Sequence, residues 1–230
     1  MIEPLKNSNC AKCTKKGPCF LKLSEKELEL VEENRLEVKF NKGEIICKQG
    51  SFASHIMYLY DGLIKVYLET QNKNQILNII PPGRLIGLPS LFNENIFHYS
   101  ASSIGNSIVC CIDINIFREI TQSNPSFASE IIRILNEKAI TMYHRLISVS
   151  QKQLHGRFAD AIIFLSKEIY KGTSFELTLS RKDLAELTGM SVESLSRVVK
   201  EFKNDGIINI NEKKLEILNY RLLEKISLSG

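Results

Sequence analysis

The stretch "NCAKCTKKGPCF" sets Cys10, Cys13 and Cys19 in the order Cys-x2-Cys-x5-Cys, ahead of any run that could form a core. Half of the six cysteines of the chain therefore sit in one turn-rich loop. Thiols placed like this pack little and oxidise readily, so their chemistry matters more than their bulk. A metal site, a disulfide and no bond at all are the three possible outcomes. CxxC is a zinc half-site, but no second CxxC follows, and His55, His98, His144 and His155 are scattered. A thiol oxidoreductase would need CxxC at a helix N-terminus within a thioredoxin-like βαβ unit, and none surrounds Cys10 and Cys13.

The chain of 230 residues is long enough for one large domain or two modest ones. Its 43% hydrophobic and 24% charged residues are ordinary for a soluble globular protein. No apolar run reaches the roughly 18 residues of a membrane span, and "MIEPLKNSNC" has no apolar h-region. The expected compartment is the cytoplasm, where reduced thiols favour metal or redox roles over structural disulfides. A net charge of +4 with a pI near 8.6 permits a polyanionic partner without demanding one.

Four kinds of texture follow one another. "LSEKELELVEENRL" (Leu23 to Leu36) reads as a short helix, with Ser24 as N-cap and Glu27 as its capping-box partner. From Val38 to about Asp113, short β-type runs are broken by turns near Gly43, Gly50, Gly62 and Gly83, as in an antiparallel sandwich or barrel. From Pro125 to at least Gln153 the pattern is helical. Ala128, Ile132, Leu135, Ala139, Met142, Leu146 and Val149 recur at alternating spacings of four and three, which is an a/d seam for a parallel partner. A second helix, around Arg157 to Tyr170, leads into the C-terminal part.

There "LSRKDLAELTGMSVESLSRVVKEFKNDGIINI" carries the helix-turn-helix order. Ser180 caps a first helix with Asp183 three residues on, Gly189 ends it, and Ser191 caps a second helix that runs from Val192 to about Asn204. "IINI-NEKK-LEIL" then forms a hairpin, which makes the module winged. On the second helix Leu195, Val198, Val199 and Phe202 form the inner stripe, while Glu193, Ser196, Arg197 and Lys200 share another face. An arginine can donate two hydrogen bonds to guanine, and a glutamate can accept from cytosine. Ser180, Arg181, Ser191 and Ser194, at the starts of the two helices, complete the candidate DNA-binding set.

In this order of parts the chain resembles the CRP/FNR superfamily of bacterial transcription regulators over essentially its full length. The resemblance rests on "KGEIICKQG", "YLYDGLIKVY" and "PPGRLIGLPSLF" in the β region, and on the Glu-x-x-Ser-Arg of "VESLSR", typical of the FNR branch. It implies an α+β fold: a β-roll of the cyclic-nucleotide-binding kind (a double-stranded β-helix), a long dimerisation helix and a winged helix-turn-helix. The expected boundaries are 1–23 for the cysteine segment, 24–123 for the roll, 124–153 for the dimer helix and 154–230 for the DNA-binding domain. The dimer seam would be built from Ile132, Leu135, Ala139, Met142, Leu146 and Val149.

The resemblance also implies a use for the thiols. Together with the Cys of "SIVC", the N-terminal motif is similar to the ligand set of a 4Fe–4S cluster, carried over here to Cys10, Cys13, Cys19 and Cys110. Such a cluster takes four thiolates. Cys110 and Cys111 point to opposite faces of a strand, so one of them would ligate; Cys111 and Cys47 are then small core residues. The implied function is an oxygen- or nitric-oxide-sensing regulator, not an enzyme, that binds inverted repeats of double-stranded DNA as a homodimer and meets RNA polymerase. Two departures matter. The Glu and Arg that grip a cyclic phosphate in the cAMP-binding branch are replaced at Leu88 or a neighbour and at Tyr99, which makes cyclic AMP a poor ligand. Met142 stands where the FNR branch places a carboxylate that discourages dimerisation, so this seam should be more permanently paired. The alternative is a regulator of the same type without a cluster, answering to another small effector or to none.

Overall fold

The computed structural model describes Cys13, Lys15–Gln71 and Lys73–Gly230. Cys10 lies outside these residues. The chain divides into two compact units, one of residues up to Glu69 with Ile79–Ile140, the other of Thr70–Asn78 with Thr141–Gly230.

The first unit opens with a 3-10 turn, Pro18–Lys22, and helix α1, Glu25–Glu33. Ser24 and Glu27 make the expected capping box. The helix stops short of Leu36, however, because Arg35–Phe40 forms strand β1, whose six residues pair with Ser107–Ile112. Backbone pairing across the sheet outweighs the helical pattern of two residues. The other strands are β2 (Ile45–Cys47), β3 (His55–Asp61), β4 (Ile64–Glu69), β5 (Asn74–Ile80), β6 (Leu85–Ile86), β7 (Ser100–Ser103) and β8 (Ser107–Asp113). They form two antiparallel sheets of order β1-β8-β3-β6 and β2-β7-β4-β5. Ile56, Leu59, Ile64, Ile86 and Ile112 fill the interior. At Gly62 φ is +93°, and a Cβ there would meet the Asn106 carbonyl oxygen at 2.5 Å, so this turn accepts only glycine.

Helix α2, Ile114–Ser123, is an element the sequence reading did not assign. Asp113 ends β8 and also caps the helix, accepting from the backbone N–H groups of Asn115 and Ile116. Helix α3, Pro125–Gln151, follows after a single residue. It ends two residues earlier than expected, since Gln153 is already the N-cap of α4, Leu154–Phe164. That helix in turn starts before Arg157 and passes into a π-helical turn, Leu165–Ile169.

In the second unit α5 (Arg181–Thr188) and α6 (Val192–Asn204) match the expected helix-turn-helix, and α7 (Tyr220–Ser229) packs on α4. The hairpin of β10 (Ile208–Asn211) and β11 (Lys214–Ile217) gains a third strand, β9 (Ser174–Glu176), at its edge. No helix among the described residues is long and apolar enough to cross a membrane.

Candidate functional site

The geometry of the second unit is set by caps and by one buried stripe. Ser180 accepts from the Asp183 N–H at 3.1 Å, while the Asp183 carboxylate accepts from the Ser180 N–H at 2.9 Å. Gly189 closes α5 at φ +68°, a conformation that costs glycine nothing. Ser191 then caps α6. Leu195, Val198 and Phe202 are buried, with Val199 half-buried beside them, and Phe202 meets Phe158 of α4 edge-on at 5.0 Å. Burial of this stripe leaves Glu193, Arg197 and Lys200 exposed on the far face of α6.

The candidate hydroxyls are less free than the sequence alone implies. Ser196 donates to the Val192 carbonyl at 2.8 Å, Ser191 and Ser194 bond to each other, and Ser180 donates to Asp183. Arg197 reaches Ser194 at 3.4 Å, and Arg181 reaches Ser196 at 3.5 Å. The Glu193 carboxyl is held below its usual range by hydrogen bonds at the helix start, with a smaller contribution from Arg197. Two wing residues that the sequence reading did not single out, Glu212 and Lys213, line a cavity of about 110 Å³ together with Arg181 and Ser196. Lys203 donates to the Ile210 carbonyl at 2.9 Å, tying the end of α6 to the wing. The lysine pair in "NEKK" was the available signal for it.

In the first unit the thiols gather around one ring. Tyr58 of β3 lies beside Cys110 in the ladder, and the charges of Cys13, Cys19 and Cys110 all act on its phenol, which burial pushes up. Its hydroxyl donates to the Lys15 carbonyl, and Phe20 stacks edge-on against it at 5.1 Å. Phe20 also meets Phe127 of α3 at 6.4 Å, so the turn that carries Cys19 packs on that helix. Cys13 and Cys110 line one small cavity of about 40 Å³. Arg35 points its guanidinium at the Cys110 sulfur from 3.7 Å, with Glu37 at 3.5 Å from the same nitrogen. Cys19, only 2% exposed, lies near Glu130 and Arg133, and burial pushes its thiol up to about 12. Cys47 is buried, and the influence of Cys111 reaches it.

The donor types therefore suit an iron–sulfur cluster, which takes four thiolates. Their present positions do not close a site. Among the described residues no three His, Cys, Asp or Glu side chains lie close enough together to hold a metal ion.

Where the resemblance implies the phosphate-gripping Arg of the cAMP-binding branch, Tyr99 is half-buried and its hydroxyl accepts from the Gly87 N–H at 2.8 Å, and Leu88, next to that glycine, is buried. Tyr99→Phe should leave that buried N–H without an acceptor and lower stability by about 1–3 kcal/mol, as measured by urea unfolding. An unchanged midpoint would show that this bond contributes nothing.

Residues 37–124 match the family model of the cyclic nucleotide-binding domain, and residues 156–226 match the Crp-like helix-turn-helix domain. The chain belongs to the CRP/FNR superfamily of transcription regulators. It is similar to electron transport regulator A of Shewanella oneidensis, at 26% identity over 95% of this chain and 90% of that one. It is also similar to the transcriptional activator protein anr of Pseudomonas aeruginosa, at 23% identity over 100% and 96% of the two chains. Among solved structures, FixK2 from Bradyrhizobium japonicum shares the fold with a TM-score of 0.77 at 16% identity, over 85% of this chain and 98% of that one. CRP/FNR regulators bind DNA and typically dimerise; they are not enzymes.

Proposed function

We propose that this CRP/FNR regulator senses oxygen or nitric oxide through a 4Fe–4S cluster held by Cys10, Cys13, Cys19 and Cys110. As a homodimer it reads inverted repeats with TTGA-type half-sites and acts with RNA polymerase. The observation that supports sensing is the gathering of three of these thiols around Tyr58, next to a turn that packs on α3 through Phe20 and Phe127. A bound cluster supplies a centre that oxygen or nitric oxide can convert or dismantle. The part of this chain is to hold it: the loop brings Cys13 and Cys19, and β8 brings Cys110.

For DNA, the exposed face of α6 offers Arg197 to guanine, Glu193 to the paired cytosine, and Ser196 to a neighbouring thymine or phosphate. Arg181 and Lys200 meet phosphates, and the capped turns at Ser180, Ser191 and Ser194 set the approach of both helices. Ile132, Leu135, Ala139, Met142, Leu146 and Val149 pair with their counterparts in the second copy.

Strictly anaerobic preparation should yield brown protein with about four iron and four sulfide per chain, decaying in air. Cys110→Ser should abolish the colour, whereas Cys111→Ser and Cys47→Ser should keep it. If the three variants behave alike, the ligand assignment is wrong; one zinc per chain without iron would favour a zinc site. The burial of Cys19 favours a second reading, a regulator without a cluster that answers to another effector. Colourless protein that still binds the palindrome would establish it.

A further inference from the structure

An organic effector needs a cavity of its own size. The second unit has one: a cavity of about 420 Å³ at the end of α3, lined also by α4, the end of α5, α7 and Leu77 and Asn78 of β5. Its volume falls in the roughly 300–1,000 Å³ range of small-molecule sites. Ile147, Ile163 and Phe164 supply apolar wall.

Its charges are unbalanced. Asp160 accepts from Lys152 at 2.8 Å, from Ser148 at 2.6 Å and from Ser227 at 2.5 Å, so the one carboxylate on the wall is fully engaged. Arg145 and Arg157, both half-buried on the same wall, have no carboxylate partner among the described residues. Arg145 donates through one nitrogen to the carbonyls of Ile76 and Leu187. Arg157 donates only through Nε, to Lys152 at 2.8 Å, so both of its terminal nitrogens remain unspent. Burial alone lowers the Arg145 pKa to about 10, as expected of a cation that lacks a counter-charge.

We propose that this cavity binds a small organic anion, with an oxyanion head on the guanidiniums of Arg145 and Arg157 and an apolar body against Ile163 and Phe164. A guanidinium fork suits the paired oxygens of carboxylate and phosphate alike. The occupant would touch both the end of α3 and Leu187 and Thr188 of the first reading helix. Its binding is therefore linked to DNA binding, and the linkage is reciprocal.

Calorimetric titration of the full chain with 1-naphthyl phosphate, 1-naphthoate and uncharged 1-naphthol tests the assignment. At least one anion should bind about tenfold or more tightly than naphthol, and the order of the two anions identifies the head group. Arg157→Gln should weaken the anion about tenfold or more, and Arg157→Lys, which keeps the charge without the fork, should fall between. Arg221→Gln makes the same charge change at an exposed position away from the cavity and should bind as the wild type does. Equal binding of naphthol and both anions would overturn the site, as would an Arg157→Gln protein that binds like the wild type. Cluster content and palindrome binding are measured separately, so failure here leaves those readings standing.

Discussion

Replacing Leu135 and Leu146 together by glutamate is expected to leave the chain folded but monomeric at micromolar concentration. Helix α3 carries two apolar stripes with different employment. Phe127 and Ile131 are buried within the chain, at 1% and 3% exposure. Leu135 and Leu146 are 37% and 67% exposed, and Ile132 and Met142 share their open face. Each leucine buried by a second copy contributes about 1.5–3 kcal/mol. Glutamates facing each other there would instead bury uncompensated charge, at a cost of several kcal/mol. Both positions are open in the single chain, so its circular dichroism should hardly change. Light scattering gives the answer: a monomeric wild type in both reduced and oxidised samples would refute pairing through this seam.

Arg197→Ala is expected to weaken binding to a TTGA-type palindrome by about 1–3 kcal/mol per half-site and to relax the preference for its G·C pair. The two α6 helices of a dimer would enter major grooves about one helical turn, 10–10.5 bp, apart. Arg197 is exposed, and its only described hydrogen bond, to Ser194 at 3.4 Å, is weak enough to give up for a base. Lys200→Ala and Arg181→Ala should weaken every sequence alike, each lowering the salt slope by about one. Competitive binding with the G·C pair varied separates the two behaviours. If wild type and Arg197→Ala discriminate equally, the arginine does not read the base.

What could be read from the sequence was governed by near neighbours. The bounds of α6, the caps at Ser24, Ser180 and Ser191, and the turn at Gly189 all follow from contacts within four residues. The open stripe of α3 likewise follows from helical spacing. Tertiary structure decided whatever depended on distant pairing. Arg35 and Leu36 continue the helical pattern of α1, yet join β8 more than seventy residues away because a ladder satisfies their backbone groups. Asp113 ends a strand and starts α2, a double role that no local pattern announces. The burial of Cys19, the seat of Tyr99 on Gly87 and the two guanidiniums of the cavity arise where separate elements meet. Spacing along a chain names the residues able to do chemistry. Which of them share a cavity, and which are spent on holding the fold, depends on long-range packing that has no short-range signature.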